Sequence, residues 1–167
     1  GRMSILAIDP GNIESAFVVV TDDLSSVIDK GKLPNADLER YIECAPIRPW
    51  YRNDPVKHIA MEMVACYGMP VGAEVFETCV QIGRFEYIIE EYRKYATYQR
   101  IYRMEEKTAI CHNCRARDSN IRQALIDRFG AVGTKKNPGY FYGFKKDIWA
   151  AMAVAVTYHD KYLTDRE

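Results

Sequence analysis

An apolar run, Ser4–Asp9 (SILAID), ends in a carboxylate and is followed at once by Pro10-Gly11. The run has the composition of a buried strand, and Pro-Gly is a turn signal. Ser15–Val20, with consecutive valines at 18, 19 and 20, predicts the next strand. Ser25–Lys30 predicts another after a turn at Asp22-Asp23, completing a meander. Pro34-Asn35 marks a turn before a short helix over Ala36–Cys44, and Pro46, Pro49 and Pro55 mark a loop. Lys57–Glu62 (KHIAME) predicts a short strand that also ends on an acid, with the turn-rich CYGMPVG behind it. Val75, Phe76, Cys79, Val80, Ile82, Gly83, Tyr87 and Ile88 are spaced for an amphipathic helix over Ala73–Tyr95 with one broad apolar face. Tyr98–Met104 predicts a strand, Asp118–Phe129 a helix and Lys145–Tyr162 a long alanine-rich helix. The expected fold class is therefore α/β: a mixed five-stranded sheet, three antiparallel strands and then two parallel ones, flanked by helices.

At 167 residues the chain has the size of one domain, expected over 3–167, with Gly1-Arg2 before Met3 resembling an expression scar. Lysine plus arginine (23) balance aspartate plus glutamate (23), so any basic surface must be local. No apolar run reaches the roughly 20 residues that span a bilayer, and no signal-peptide pattern opens the chain; a cytoplasmic location without membrane partners is the expectation. The 5 cysteines are an odd number in a chain that is no small disulfide scaffold, so reduced thiols are expected.

The acid at the end of an apolar strand is the unusual feature. Alone, Asp9 before Pro-Gly reads as a turn residue, Glu62 as an edge carboxylate and Asp147 as an ordinary first-turn helix acid. Together they suggest more. Ile5, Ala7 and Asp9 share one face of their strand, as do His58, Ala60 and Glu62 of theirs, so adjacent strands would set Asp9 beside Glu62. Asp147, at a helix start, can converge on the same point. Clustered carboxylates need a cation or a shared proton, and hard oxygen ligands without paired histidines favour Mg²⁺ or Mn²⁺ over zinc. A pair of such ions about 4 Å apart suits phosphodiester hydrolysis.

In order, ILAIDPG, IAMEMV and KKDIWAAMAVAVTYH resemble the RuvC-like Holliday-junction resolvases of the ribonuclease H-like superfamily. VFETCVQIGRFEYIIEE is similar to that family's long helix with its internal glycine, here Gly83, and YRMEEKTAI to the segment carrying a lysine, here Lys107. The likeness spans nearly the whole chain and is nearest to compact phage- or prophage-type members. It implies a ribonuclease H-like fold, metal binding by Asp9, Glu62 and Asp147, a catalytic role for these and Lys107, and two Mg²⁺ ions with Mn²⁺ as a substitute. One departure stands out: such resolvases carry a further acid one turn after the last, where this chain has Ala150. Asp160 is no substitute, because at about 100° per residue it falls on another side of the helix.

Basic residues concentrate between Arg93 and Lys146, interleaved with aromatics. Arg115, Arg117, Lys135, Lys136, Tyr140, Tyr142, Lys145 and Lys146 are the candidates for contact with phosphates and unpaired bases, against helix-surface solvation as the plain alternative. GTKKNPGYFYGFKK, directly before Asp147, is the sharpest of these signals. CHNC, Cys111–Cys114, is half of a zinc pattern without a second Cys-x-x-Cys, so an ordinary thiol pair is the simpler reading.

The expected activity is a Mg²⁺-dependent endonuclease on branched or four-way junction DNA, acting as a homodimer because paired nicks on a two-fold substrate need two sites. Other readings are a ribonuclease H-like nuclease on RNA–DNA hybrids or flaps, and a non-catalytic DNA-binding relative. An actin-like ATPase would need a second phosphate loop and a Gly-rich adenosine site, neither of which is visible.

Overall fold

A computed structural model describes residues 3–44 and 56–164. The loop expected around Pro46, Pro49 and Pro55 lies outside the described residues, apart from the start of the strand that follows it. The sheet comprises β1 (Ser4–Asp9), β2 (Glu14–Thr21), β3 (Val27–Pro34), β4 (Val56–Met63) and β5 (Thr97–Tyr102), in the order β3-β2-β1-β4-β5. β1, β2 and β3 pair antiparallel, and β4 and β5 add in parallel, as the strand and helix order implied.

Alternation along the central strands serves two cores. Ile5, Ala7, Val18 and Ala60 face one layer, while Leu6, Ile8, Val19, Ile59 and Met61 face the other. The second layer is covered by α1 (Asn35–Cys44) and α2 (Ala73–Tyr92) through Leu38, Ile42, Ile82 and Phe85. The first is covered by α5 (Asp147–Tyr158), whose Ala151, Ala153 and Ala155 are fully buried; small side chains let its axis lie close to the sheet. α3 (Arg103–Cys111) and α4 (Asp118–Phe129) pack at the β5 side of this layer.

Several boundaries differ from expectation. β3 runs Val27–Pro34 rather than Ser25–Lys30, because Asp23 ties Ser25 into the preceding turn at 2.7 Å. α2 stops at Tyr92, and α5 begins at Asp147 and passes into a π-helical turn over His159–Leu163. The largest departure is α3: the strand expected to reach Met104 ends at Tyr102. There the Tyr102 amide donates to the Glu105 carboxylate at 2.7 Å, which caps a new helix. α2 also does not present one apolar face. Ile82, Phe85, Ile88 and Ile89 go to the sheet, whereas Phe76, Val80 and Tyr87 remain 62–63% exposed.

Candidate active site

Asp9 ends β1 and is held there by a built turn. The Gly11 amide donates to Ser15 Oγ at 3.0 Å, Ser15 donates to Asn35 Oδ1 at 2.7 Å, and Asn35 Nδ2 donates to the Gly11 carbonyl at 3.0 Å. A Cβ at Gly11 would lie 2.3 Å from the Glu14 carbonyl oxygen, so the turn following Asp9 requires glycine. The parallel register pairs Ile8 with Met61, which sets Asp9 beside Glu62 on the face that carries α5. Their carboxyl groups are within hydrogen-bonding reach. Burial, then the Glu62 charge and hydrogen bond, then the Asp147 charge push Asp9 up to about 8, with Arg103 opposing.

Asp147 opens α5 directly after Lys146, whose φ of 35° is a conformation that side chains rarely adopt. Its Oδ2 accepts from Lys32 Nζ at 2.6 Å, and the same ammonium stands 3.9 Å from Glu14. Asp147 and Ala150 together line a cleft of about 400 Å³ with Arg103, Arg122, Lys146 and Trp149. Ala150 thus leaves open space where the family resemblance places an acid. Asp160 is engaged elsewhere, accepting two hydrogen bonds from Arg128 at 2.7 and 3.0 Å.

An additional acid stands at the site. Glu106, on α3, is 0% exposed and lies against Glu62. Its Oε1 accepts from Arg103 at 3.0 Å, while its Oε2 and the Oε1 of Glu62 have no hydrogen-bond partner. Burial first, and then Glu62, hold the Glu106 carboxyl far above the usual carboxylate range, against the pull of Arg103. Arg103 also pairs with Asp118, joining α3 to α4 behind the acids. Glu106 is not apparent from the sequence because Tyr98–Met104 reads as one continuous strand. The signal was Glu105 placed to cap a helix start, which makes Glu106 a first-turn residue able to face the sheet. Lys32 was missed because the expected β3 stopped at Lys30.

The residues fit a hard divalent ion by donor type. Abutting carboxylates, two of them with unpartnered buried oxygens, are what an oxygen-preferring cation would satisfy. Among the described residues no set of three or more acids, histidines or cysteines already stands in coordinating array, and Asp147 is engaged with Lys32.

The other candidates are spread around this centre. Lys107 is half-buried on α3, next to Glu106. Arg115, Arg117, Lys135, Lys136, Lys145 and Lys146 are exposed, as is Tyr142. Tyr140 instead braces the loop: it stacks on Phe129 at 4.9 Å and donates to the Leu24 carbonyl at 2.8 Å. Lys135 and Lys136 sit on a tight turn closed by a bridge between Gly133 and Pro138. Cys111 and Cys114 are free thiols, and burial raises the Cys111 pKa.

No protein-family model matches the sequence, and a sequence search among curated proteins finds no match. Solved structures do match. Thermus thermophilus RuvC aligns over 93% of both chains with a TM-score of 0.65 and 15% identity. T. thermophilus RuvC in complex with a Holliday junction substrate aligns over 95% of this chain and 93% of that one, with a TM-score of 0.69 and 14% identity. At this identity the likeness is one of fold, and it agrees with the strand order and helix placement above. The chain has the ribonuclease H-like fold in the form seen in RuvC.

Proposed function

We propose that this protein is a divalent-metal-dependent endonuclease that cuts branched DNA, resolving four-way junctions by paired nicks. The observation that carries the reading is the abutment of Asp9 and Glu62 on adjacent parallel strands, with Asp147 close enough for its charge to act on Asp9. The similar fold of a protein solved with a Holliday junction supports this choice of substrate.

Asp9, Glu62 and Asp147 are the residues to hold Mg²⁺ or Mn²⁺. Bound there, the metal supplies an activated water and neutralises charge on the departing oxygen. The chain's own contribution is rigidity and charge: the Gly11–Ser15–Asn35 clamp fixes Asp9, and the Arg103–Glu106 pair backs Glu62. Lys107 is assigned to the neighbourhood of the scissile phosphate. The test is incubation with a labelled four-way junction and Mg²⁺ or Mn²⁺, beside linear duplex, flap and RNA–DNA hybrid. Hybrid or flap cutting without junction cutting would select the other nuclease reading. Junction binding with no cleavage by either ion would select a binding-only relative, the reading Ala150 leaves open.

Phosphate contacts fall to the exposed loop carrying Lys135 and Lys136. Replacing both with alanine is expected to weaken junction binding and to reduce the log–log salt slope by about 0.9 per lost contact. A titration of affinity against salt checks this, and an unchanged slope would make the pair solvated surface only.

Homodimerisation is assigned to the outer stripe of α2. Phe76, Val80 and Tyr87 are exposed at helical spacing, and a Cβ at Gly83 between them would meet nothing within 4 Å. Val80→Glu is expected to give a folded monomer by sedimentation that makes single nicks rather than paired ones. A parent that is monomeric at micromolar concentration, with and without junction DNA, would remove this surface from the mechanism.

A further inference from the structure

We infer that the cleft beside Asp147 is a subsite for one backbone phosphate of the bound DNA strand, the neighbour of the scissile phosphate, held by Arg122 and Lys146. The inference rests on the reading of the protein as a nuclease of branched DNA, and it adds a contact in a place that Lys135 and Lys136 do not line.

Shape and charge point to this ligand. The cleft, of about 400 Å³, has Asp147 and Ala150 on its α5 wall and the first turn of α4 opposite. Its lining carries three cations, Arg103, Arg122 and Lys146, against two carboxylates, Asp118 and Asp147. Arg103 is engaged by Asp118 and Glu106. Asp147 is met by Lys32, which has Glu14 as a second neighbour at 3.9 Å. Arg122 and Lys146 have no acidic partner among the described residues and are both exposed, so they are the cations left for an anion. The acids behind the cleft, Asp9 and Glu62, repel phosphate until the proposed metal neutralises them. Because Asp147 belongs both to that metal site and to this lining, a strand with its scissile phosphate at the metal brings the next phosphate to the cleft.

The aromatic floor selects a phosphate over a base. Trp149 lies beneath Arg122, is 7% exposed, and has the rings of Phe141 and Phe144 at 4.6 and 5.3 Å. It offers no open face for stacking. It holds the Arg122 guanidinium instead, at 4.7 Å from the ring centroid, and a guanidinium so held keeps its planar fork of N–H donors for phosphate oxygens. Ala150 suits the same ligand. An acid on that wall, where the family resemblance places one, would face the entering phosphate, whereas alanine leaves Arg122 and Lys146 unopposed there.

The test is a methylphosphonate scan of a four-way junction, with each phosphate around the branch point neutralised in turn and affinity measured in Ca²⁺, so that no cleavage is needed. One neutralised position is expected to lower the affinity of the parent by about tenfold. Arg122→Gln should lower the affinity for the unmodified junction by a similar factor and reduce the log–log salt slope by about 0.9. The position sensitive in the parent should then cost Arg122→Gln nothing further, and Lys146→Gln should couple to the same position. Both side chains are exposed, so both variants should fold, which circular dichroism would establish. Where Mg²⁺ cuts the junction, the cut should fall beside the sensitive phosphate. Losses that multiply at every position in either variant, coupling of the two variants to different phosphates, or a cut elsewhere would overturn the subsite and leave the nuclease reading standing. A parent that binds no junction would overturn both. Coupling at one position without cleavage of any DNA would sustain the phosphate site while removing the nuclease reading.

Discussion

Asp9→Asn is expected to reduce junction cleavage by orders of magnitude while raising the stability of the metal-free protein. The substitution keeps the shape of the side chain and removes a carboxyl group whose ionisation is opposed by burial first and then by Glu62 and Asp147. A residue retained for packing would lose stability when altered, whereas one retained for metal binding gives stability back, because repulsion between carboxylates is relieved. Glu62→Gln should behave in the same way. Asp147→Asn should also stop cleavage, with little change in stability, because its pair with Lys32 is about half exposed and such pairs contribute roughly 0–1 kcal/mol. Junction binding should persist in all three and can tighten, since one negative charge facing phosphate is gone. Asp160→Asn provides the contrast: it should cleave at the parental rate yet melt earlier, because it loses one of the two hydrogen bonds from Arg128 and the charge that strengthens the other. Single-turnover cleavage, junction binding in Ca²⁺ and thermal melts separate these outcomes. Parental cleavage by Asp9→Asn would end the site assignment.

The strand ends were legible because period-two alternation assigns a side to every residue. Once Ile5, Ala7 and Asp9 share a face, and His58, Ala60 and Glu62 share another, only the pairing of β1 with β4 remains to be known. The strand and helix order made that pairing a short step, since the strand after a meander and a connecting helix joins the sheet in parallel. What stayed hidden depended on contacts between segments far apart in sequence. Lys32 meets Asp147 across 115 positions, and no local pattern announces such a pair. Glu106 is concealed differently: the apolar and basic residues of Tyr98–Met104 suit one longer strand as well as a strand followed by a helix cap. The apolar positions of α2 read as one broad face, although Val80 and Ile82, two positions apart, point to opposite sides of a helix. Their separation into buried and exposed sides is decided by where the sheet stands. Tyr140 illustrates the same limit, since the sequence shows an aromatic in a basic loop but not the Phe129 ring beneath it.

Metal-free protein should become less stable as pH rises from about 4 to about 8, opposite to the trend of a protein held by salt-bridged carboxylates. Asp9 takes up its proton near 8 in the folded chain against an ordinary 3.8, so between those values the folded state holds a proton that the unfolded state has lost. Unfolding then releases a proton, and stability falls with pH across that window, reaching its full loss above the folded value. Glu106 adds in the same direction and extends the decline upward, because its folded carboxyl is also held well above the ordinary range. Mg²⁺ should reverse the trend, since it replaces the proton between the acids: its stabilising effect should be small near pH 5 and large near pH 8. At this chain length each kcal/mol moves Tm by about 2–4 °C, so a shift of several degrees is measurable. The measurement is a set of melts across this range in EDTA and in saturating Mg²⁺, for the parent, Asp9→Asn and Glu106→Gln. Asp9→Asn should reduce the slope of the EDTA curve and cancel the Mg²⁺ response together, while Glu106→Gln should reduce the slope across the same window and retain a Mg²⁺ response. A parent whose EDTA curve is level across the window would mean that the carboxylates ionise freely, and the crowding of Asp9 against Glu62 would then not be the driving force for metal binding.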